Sequence, residues 1–134
     1  MTVLYVDSSA LLKRVVVEAE SSAVRALLRE RHLAGDLLTA SSLAWLEVWR
    51  SLRRAAVPDV EKVVAVALSG VAEYALDDQV LLRARRVGAD ELRSLDAIHL
   101  ASAIAVGADA ILTYDTRLAG AAAAVGLDAL APTG

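Results

Sequence analysis

The chain has no cysteine and no phenylalanine, and its 134 residues carry a formal net charge of −3. Without cysteine there is neither a disulfide framework nor a thiolate metal site, and redox logic sets no compartment. With no Phe, two Trp and three Tyr, the core has to be built from Leu, Val, Ile and Ala. Net negative charge and a pI near 5.3 supply no global basic field to draw in a nucleic acid. Such a partner would need a local basic face. No uncharged apolar run reaches the roughly 18 residues that span a bilayer, and the Ala-rich stretch Ala119–Val125 is short and interrupted by Gly120. The opening Met1-Thr2-Val3-Leu4-Tyr5-Val6-Asp7 has no basic segment ahead of an apolar one. No signal peptide is expected, and the expectation is a soluble cytoplasmic protein without membrane association.

Hydrophobic residues make up 57% of the chain and the mean hydropathy is +0.50, which excludes disorder and suffices for a core. The length fits a single domain over residues 1–134. Short β-type runs alternate with helical text. Val3–Val6, Leu37–Thr39, Val71–Leu76, Ala110–Thr113 and Asp128–Ala131 read as strands. Ser8–Val17, Ser21–Arg31, Leu43–Ala56, a segment with Pro58 in its first turn and Gly70 at its end, Asp77 or Asp78 to Val87, Ser94–Val106 and Thr116–Val125 read as helices. This alternation predicts an α/β fold with a mostly parallel sheet covered by helices on both faces.

In an open α/β sheet, ligands bind beyond the carboxyl ends of the strands. Asp7 directly follows the first strand and Asp115 follows Ala110–Thr113. Asp96 falls in the first turn of its helix, and Glu47 inside the helix after the second strand. Each acid has a structural alternative. Asp7, Asp96 and Asp115 stand where a helix favours an acid as a cap or through its dipole. Trp45, Val48, Trp49 and Leu52 form one apolar stripe; Glu47 points roughly opposite it, three residues from Arg50 and placed for a surface ion pair. Composition and spacing do not choose between capping and catalysis.

The surrounding blocks do. Asp7-Ser8-Ser9-Ala10-Leu11-Leu12-Lys13, Leu95-Asp96-Ala97-Ile98-His99-Leu100-Ala101-Ser102-Ala103 and Ala108-Asp109-Ala110-Ile111-Leu112-Thr113-Tyr114-Asp115-Thr116-Arg117-Leu118 closely resemble the blocks of PIN-domain proteins of the VapC type. Glu47 stands where that family carries its second acid. The resemblance spans essentially the whole chain. It implies a three-layer α/β/α PIN-like domain and an endoribonuclease that is the toxin of a type II toxin–antitoxin pair. It implies Asp7, Glu47, Asp96 and Asp115 as an acidic quartet holding Mg²⁺ or Mn²⁺, with Ser8 and Thr113 as neighbouring hydrogen-bonding residues. It also implies a cognate VapB-type antitoxin and a homodimer.

Physical chemistry agrees with such a site. Several carboxylates in one pocket repel one another unless a cation relieves them, and all-oxygen donors suit hard ions such as Mg²⁺ and Mn²⁺. An ion there would activate water and polarise a scissile phosphate. With His32 and His99 as its only histidines, the chain offers no dedicated zinc site. His99, among apolar neighbours three residues after Asp96, reads as structural rather than as a general base. RNA would be held by cations, for which Lys13, Arg14 and Arg50 are candidates, Lys13 first for its nearness to Asp7. Clusters such as Arg53-Arg54 and Arg83 with Arg85-Arg86 read as solvated faces. The Leu43–Ala56 and Pro58–Gly70 helices show apolar surface, Trp45 and Trp49 included, that fits self-association. The alternatives are a catalytically silent PIN-fold module binding RNA or protein, a phosphoacceptor receiver domain, and a haloacid-dehalogenase phosphatase. The receiver would need an N-terminal acidic pair. The phosphatase would need an Asp two residues after Asp7, where Ser9 stands.

Overall fold

The computed structural model describes residues 1–134. Its elements in chain order are β1 (Val3–Val6), α1 (Ser8–Leu12), α2 (Ser21–Leu33), β2 (Leu37–Ser41), α3 (Ser42–Arg54), α4 (Val60–Ala67), β3 (Ala72–Tyr74), α5 (Asp78–Ala84), α6 (Ser94–Ala105), β4 (Ala110–Leu112), α7 (Thr116–Ala124) and β5 (Asp128–Leu130). The five strands form one sheet in the order β3-β2-β1-β4-β5, and every neighbouring pair is parallel. Strand order reverses at β1. The crevice between the carboxyl ends of β1 and β4 is therefore the topological switch point at which such sheets bind ligands.

Both faces of the sheet are covered at its centre, so β1 and β4 are apolar throughout instead of alternating with polar residues. Leu4 and Val6 of β1 enter a core with Leu11, Val24, Leu28, Val48, Leu52 and Val64 from α1 to α4. Tyr5, on the opposite side of the same strand, packs with Ile111 of β4 and with Leu100 and Leu118 of α6 and α7. One strand thus feeds two cores through its period-two alternation. The three layers are α1–α4, the sheet, and α6–α7.

Several boundaries differ from the sequence reading. The first helix stops at Leu12 instead of Val17: Lys13, Arg14 and Val15 donate their amides to the carbonyls three residues back. The β-branched run Val15-Val16-Val17 lowers the helix's reach, and the Ser21 hydroxyl accepts from Glu18 N and donates to Val16 O, turning the chain towards α2. Pro58 lies ahead of α4, not in its first turn, because Asp59 takes a left-handed conformation with φ 53° that delays the helix to Val60. The third strand keeps only Ala72–Tyr74 of the expected Val71–Leu76, being paired on one side alone at the sheet edge. Asp77, whose carboxylate accepts from Val80 N, starts α5 as expected, but that helix ends at Ala84, short of Val87.

Candidate active site

Asp7 is the residue at which β1 becomes α1, and its carboxylate caps that helix. Its Oδ1 caps α1 by accepting from the amides of Ser9 at 2.9 Å and Ala10 at 3.3 Å, and from the Ser9 hydroxyl at 2.6 Å. Its Oδ2 accepts from the Thr113 hydroxyl at 2.7 Å. The residue is only 4% exposed. Burial raises its pKa above the ordinary carboxylate value, outweighing the hydrogen bonds from Ser9 and Thr113 that pull the other way.

Asp115 repeats the arrangement one strand over. It caps α7, its Oδ1 accepting from Arg117 N at 2.9 Å and Leu118 N at 3.3 Å. Its own amide donates to Thr113 Oγ1 at 3.0 Å, so a single hydroxyl joins the two strand-end acids. Ser9 adds a second tie, its Oγ accepting from Tyr114 N at 2.9 Å. Asp96, in the first turn of α6, makes no capping bond. Its pKa is raised first by burial, then by Asp115 beside it, with a smaller contribution from Asp7. Three acids from α6 and the ends of β1 and β4 therefore share one electrostatic pocket at the switch point.

Glu47 joins this group by another route, and the surface ion pair with Arg50 does not form. Its Oε1 accepts from Ser8 Oγ at 3.1 Å and lies 2.5 Å from His99 Nε2. The wheel put Glu47 opposite the apolar stripe, where solvent was expected. That face of α3 instead meets α1 and the buried imidazole of α6. Trp45 packs against the first core, whereas Trp49 is 39% exposed.

The proposed cations behave differently from the acids. Lys13 pairs with Glu18 at 2.5 Å and Glu20 at 3.1 Å and sits over the Tyr114 ring, so it is committed despite its nearness in sequence to Asp7. Arg14 donates to the carbonyls of Ala67 and Ser69, holding the end of α4. Arg50 is exposed. Sequence reasoning missed Ser9 and Tyr5 as site residues. Ser9's position two residues after a capping acid was the available signal; Tyr5, in an apolar strand, gave none.

No three His, Asp or Glu side chains stand close enough together to hold a metal ion among themselves. That is compatible with Mg²⁺ or Mn²⁺. Mg²⁺ keeps several waters and is bound through one or two carboxylates, not by an all-protein shell. The carboxylates of Asp7, Asp96, Asp115 and Glu47, with Asp96 raised by burial and then by its neighbour Asp115, are oxygen donors of the type a hard divalent ion takes.

The comparisons with known proteins converge on one family. The PIN domain family model matches residues 4–124. The ribonuclease VapC46 of Mycobacterium tuberculosis is 41% identical over 103 residues, 77% of this chain and 75% of that protein. VapC47 of the same species is 34% identical over 100 residues, 75% of this chain and 74% of that one. Among solved structures, VapBC2 of Rickettsia felis bound to a promoter DNA fragment superposes with a TM-score of 0.75 at 10% identity, covering 96% of this chain and 98% of its own. The M. tuberculosis sarcin–ricin loop cleaving toxin VapC20 superposes at 0.71 and 19% identity, covering 96% and 99%. With its acids gathered at the parallel sheet's switch point, this chain belongs to the PIN-domain family, among the VapC ribonucleases.

Proposed function

We propose that this protein is a metal-dependent endoribonuclease that cuts structured RNA, the toxin of a type II toxin–antitoxin pair restrained by a VapB-type antitoxin. The observation that carries the reaction is the Thr113 hydroxyl. It bridges Asp7 and the Asp115 backbone and so holds two strand-end acids beside Asp96. A silent binding module has no need of three mutually repelling carboxylates in a partly buried pocket. Asp7, Asp96 and Asp115 would hold Mg²⁺ or Mn²⁺, directly or through water, and Glu47 would hold the ion or orient the attacking water. Bound there, the ion would supply Lewis acidity towards the scissile phosphate and lower the pKa of a water. The side chains do the rest. Ser9 and Thr113 fix the Asp7 carboxylate, the α7 amides fix Asp115, and Ser8 and His99 fix one oxygen of Glu47.

The test uses antitoxin-free protein on transfer RNA transcripts and a sarcin–ricin hairpin. Cleavage with Mg²⁺ or Mn²⁺, abolished by EDTA, is expected, with 5′-phosphate ends if water attacks in line. Asp96→Asn should lower the rate at least about a hundredfold, as loss of a transition-state charge interaction does. Cleavage that persists in EDTA, or near-normal cleavage by Asp7→Asn and Asp96→Asn alike, overturns the proposal.

A further inference from the structure

Beneath the acids lies a chain of buried polar groups for which cleavage itself gives no reason. Tyr5 is fully buried and His99 is 2% exposed. The Tyr5 hydroxyl lies 2.7 Å from His99 Nδ1 and accepts from the backbone N–H of Ser41 at 3.2 Å. The other ring nitrogen, Nε2, lies 2.5 Å from Glu47 Oε1. Ser8 donates to that same Oε1. Both bonds converge on one carboxylate oxygen and leave Oε2 uncommitted.

From this geometry we infer that Tyr5 and His99 are positioning residues for Glu47: the phenol fixes His99 as the Nε2–H tautomer, and that N–H locks Oε1 so that Oε2 is left to serve the ion or the water. The inference rests on the reading of the acids as a metal-dependent site. The donor accounting is short. The Glu47 carboxylate faces Nε2 and calls for a proton there, which leaves Nδ1 of the neutral ring to accept from the phenol, whose oxygen accepts in turn from the Ser41 amide. An imidazole that accepts at Nδ1 carries its proton on Nε2, where a carboxylate awaits it. The strand supplies the rest of the rigidity, since Tyr5 sits in the central β1 with parallel partners on both sides. Partners that orient a metal-binding side chain in this way are typically worth about 10–100-fold in metal affinity.

The tautomer is read first, in the metal-free wild type, from long-range ¹H–¹⁵N correlations of the histidine side chains. A protonated Nε2 and an unprotonated, accepting Nδ1 are expected at His99, and Tyr5→Phe should lose that uniform signature while remaining folded. A proton on Nδ1 in the wild type overturns the relay, whatever the protein cuts. Calorimetric Mn²⁺ titration is the second readout. His99→Leu should weaken binding by about 10–100-fold, whereas His99→Gln, which keeps an N–H near Nε2, should lose less than about tenfold. In a Glu47→Gln background, His99→Leu should add no further loss, because its effect passes through Glu47. An undiminished loss in that background, or equal losses for Gln and Leu, overturns the inference. A wild type that binds Mn²⁺ with the expected tautomer and yet cuts no RNA counts against the nuclease reading and leaves the relay standing.

Discussion

Replacing Asp7 by Asn should stabilise the metal-free protein and destabilise it, relative to wild type, once Mn²⁺ is added. The first half follows from burial. A carboxyl whose folded pKa is raised binds more protons in the native state than in the unfolded chain, over the interval above the unfolded value of about 3.9. Native stability therefore falls as pH rises through that interval and stays reduced above the folded pKa. At pH 7.5 wild-type Asp7 bears that cost and the amide does not. Asn keeps the oxygen that accepts from Ser9 N, Ser9 Oγ and Ala10 N. The single bond it disturbs is the one from Thr113, a hydrogen bond to a charged group worth about 1.5–3 kcal/mol. That loss offsets part of the relief, and what remains should raise the Tm in EDTA above that of wild type. The second half is linkage. Mn²⁺ at a hundred times its Kd stabilises wild type by about 2.7 kcal/mol, and the variant lacks the ligand charge. Thermal unfolding in EDTA and then in excess Mn²⁺ at pH 7.5 should show the ranking invert. In EDTA the advantage of Asn should shrink as pH falls towards 4. A variant less stable than wild type in EDTA, or equal gains from Mn²⁺ in both proteins, would refute the reasoning.

Thr113→Val should lower the cleavage rate by about 10–100-fold by removing the hydroxyl between Asp7 and Asp115, while Thr113→Ser stays within about tenfold of wild type; equal rates for the two variants would remove the hydroxyl from the argument. Trp49, 39% exposed, and Leu46, 58% exposed, lie on α3, and Val66, 58% exposed, lies on α4. A homodimer through these helices should appear in light scattering at micromolar concentration, and Leu46→Glu with Trp49→Glu should yield monomers; a wild-type monomer would dismiss it. Inhibition by the antitoxin should depend on an arginine that pairs with Asp7, Asp96 or Asp115. Tail variants with each arginine changed to alanine should inhibit less at saturation, and full inhibition by every one would rule this out.

What the sequence made legible is what local rules govern. The end of a β-branched run followed by Asp7 and Ser8 marks a strand-to-helix turn. The requirement that a parallel sheet bind ligands beyond its strand ends then brings Asp7 and Asp115 together without any knowledge of side-chain packing. Thr113 came from the family resemblance, and its place between a strand end and an acid agrees with the bond it makes to Asp7. Glu47 shows where local rules stop. On an isolated helix, a position opposite the apolar stripe faces water and finds its partner three or four residues away, which selects Arg50. In the fold that face meets α1 and α6, and its partners come from 39 and 52 residues away.

Lys13 shows the complementary limit. Nearness in the chain to Asp7 suggested a substrate cation, but the early end of α1 swings the side chain onto Glu18, Glu20 and the Tyr114 ring. Tyr5 is the deepest case. Hydrophobic patterning correctly buries it, and burial is all that patterning reports. Whether a buried phenol is core filling or a hydrogen-bonding part depends on which atoms the facing helix supplies. Here α6 supplies His99 one turn after Asp96, so the residue that fills the second core also bonds the imidazole that meets Glu47. A Phe at this position would satisfy the hydrophobic pattern equally well, yet it would leave Ser41 N–H and His99 Nδ1 without their partner. An unmet buried donor or acceptor costs about 1–3 kcal/mol. In a chain with no phenylalanine anywhere, the aromatic residue on the central strand carries a hydroxyl that the site uses.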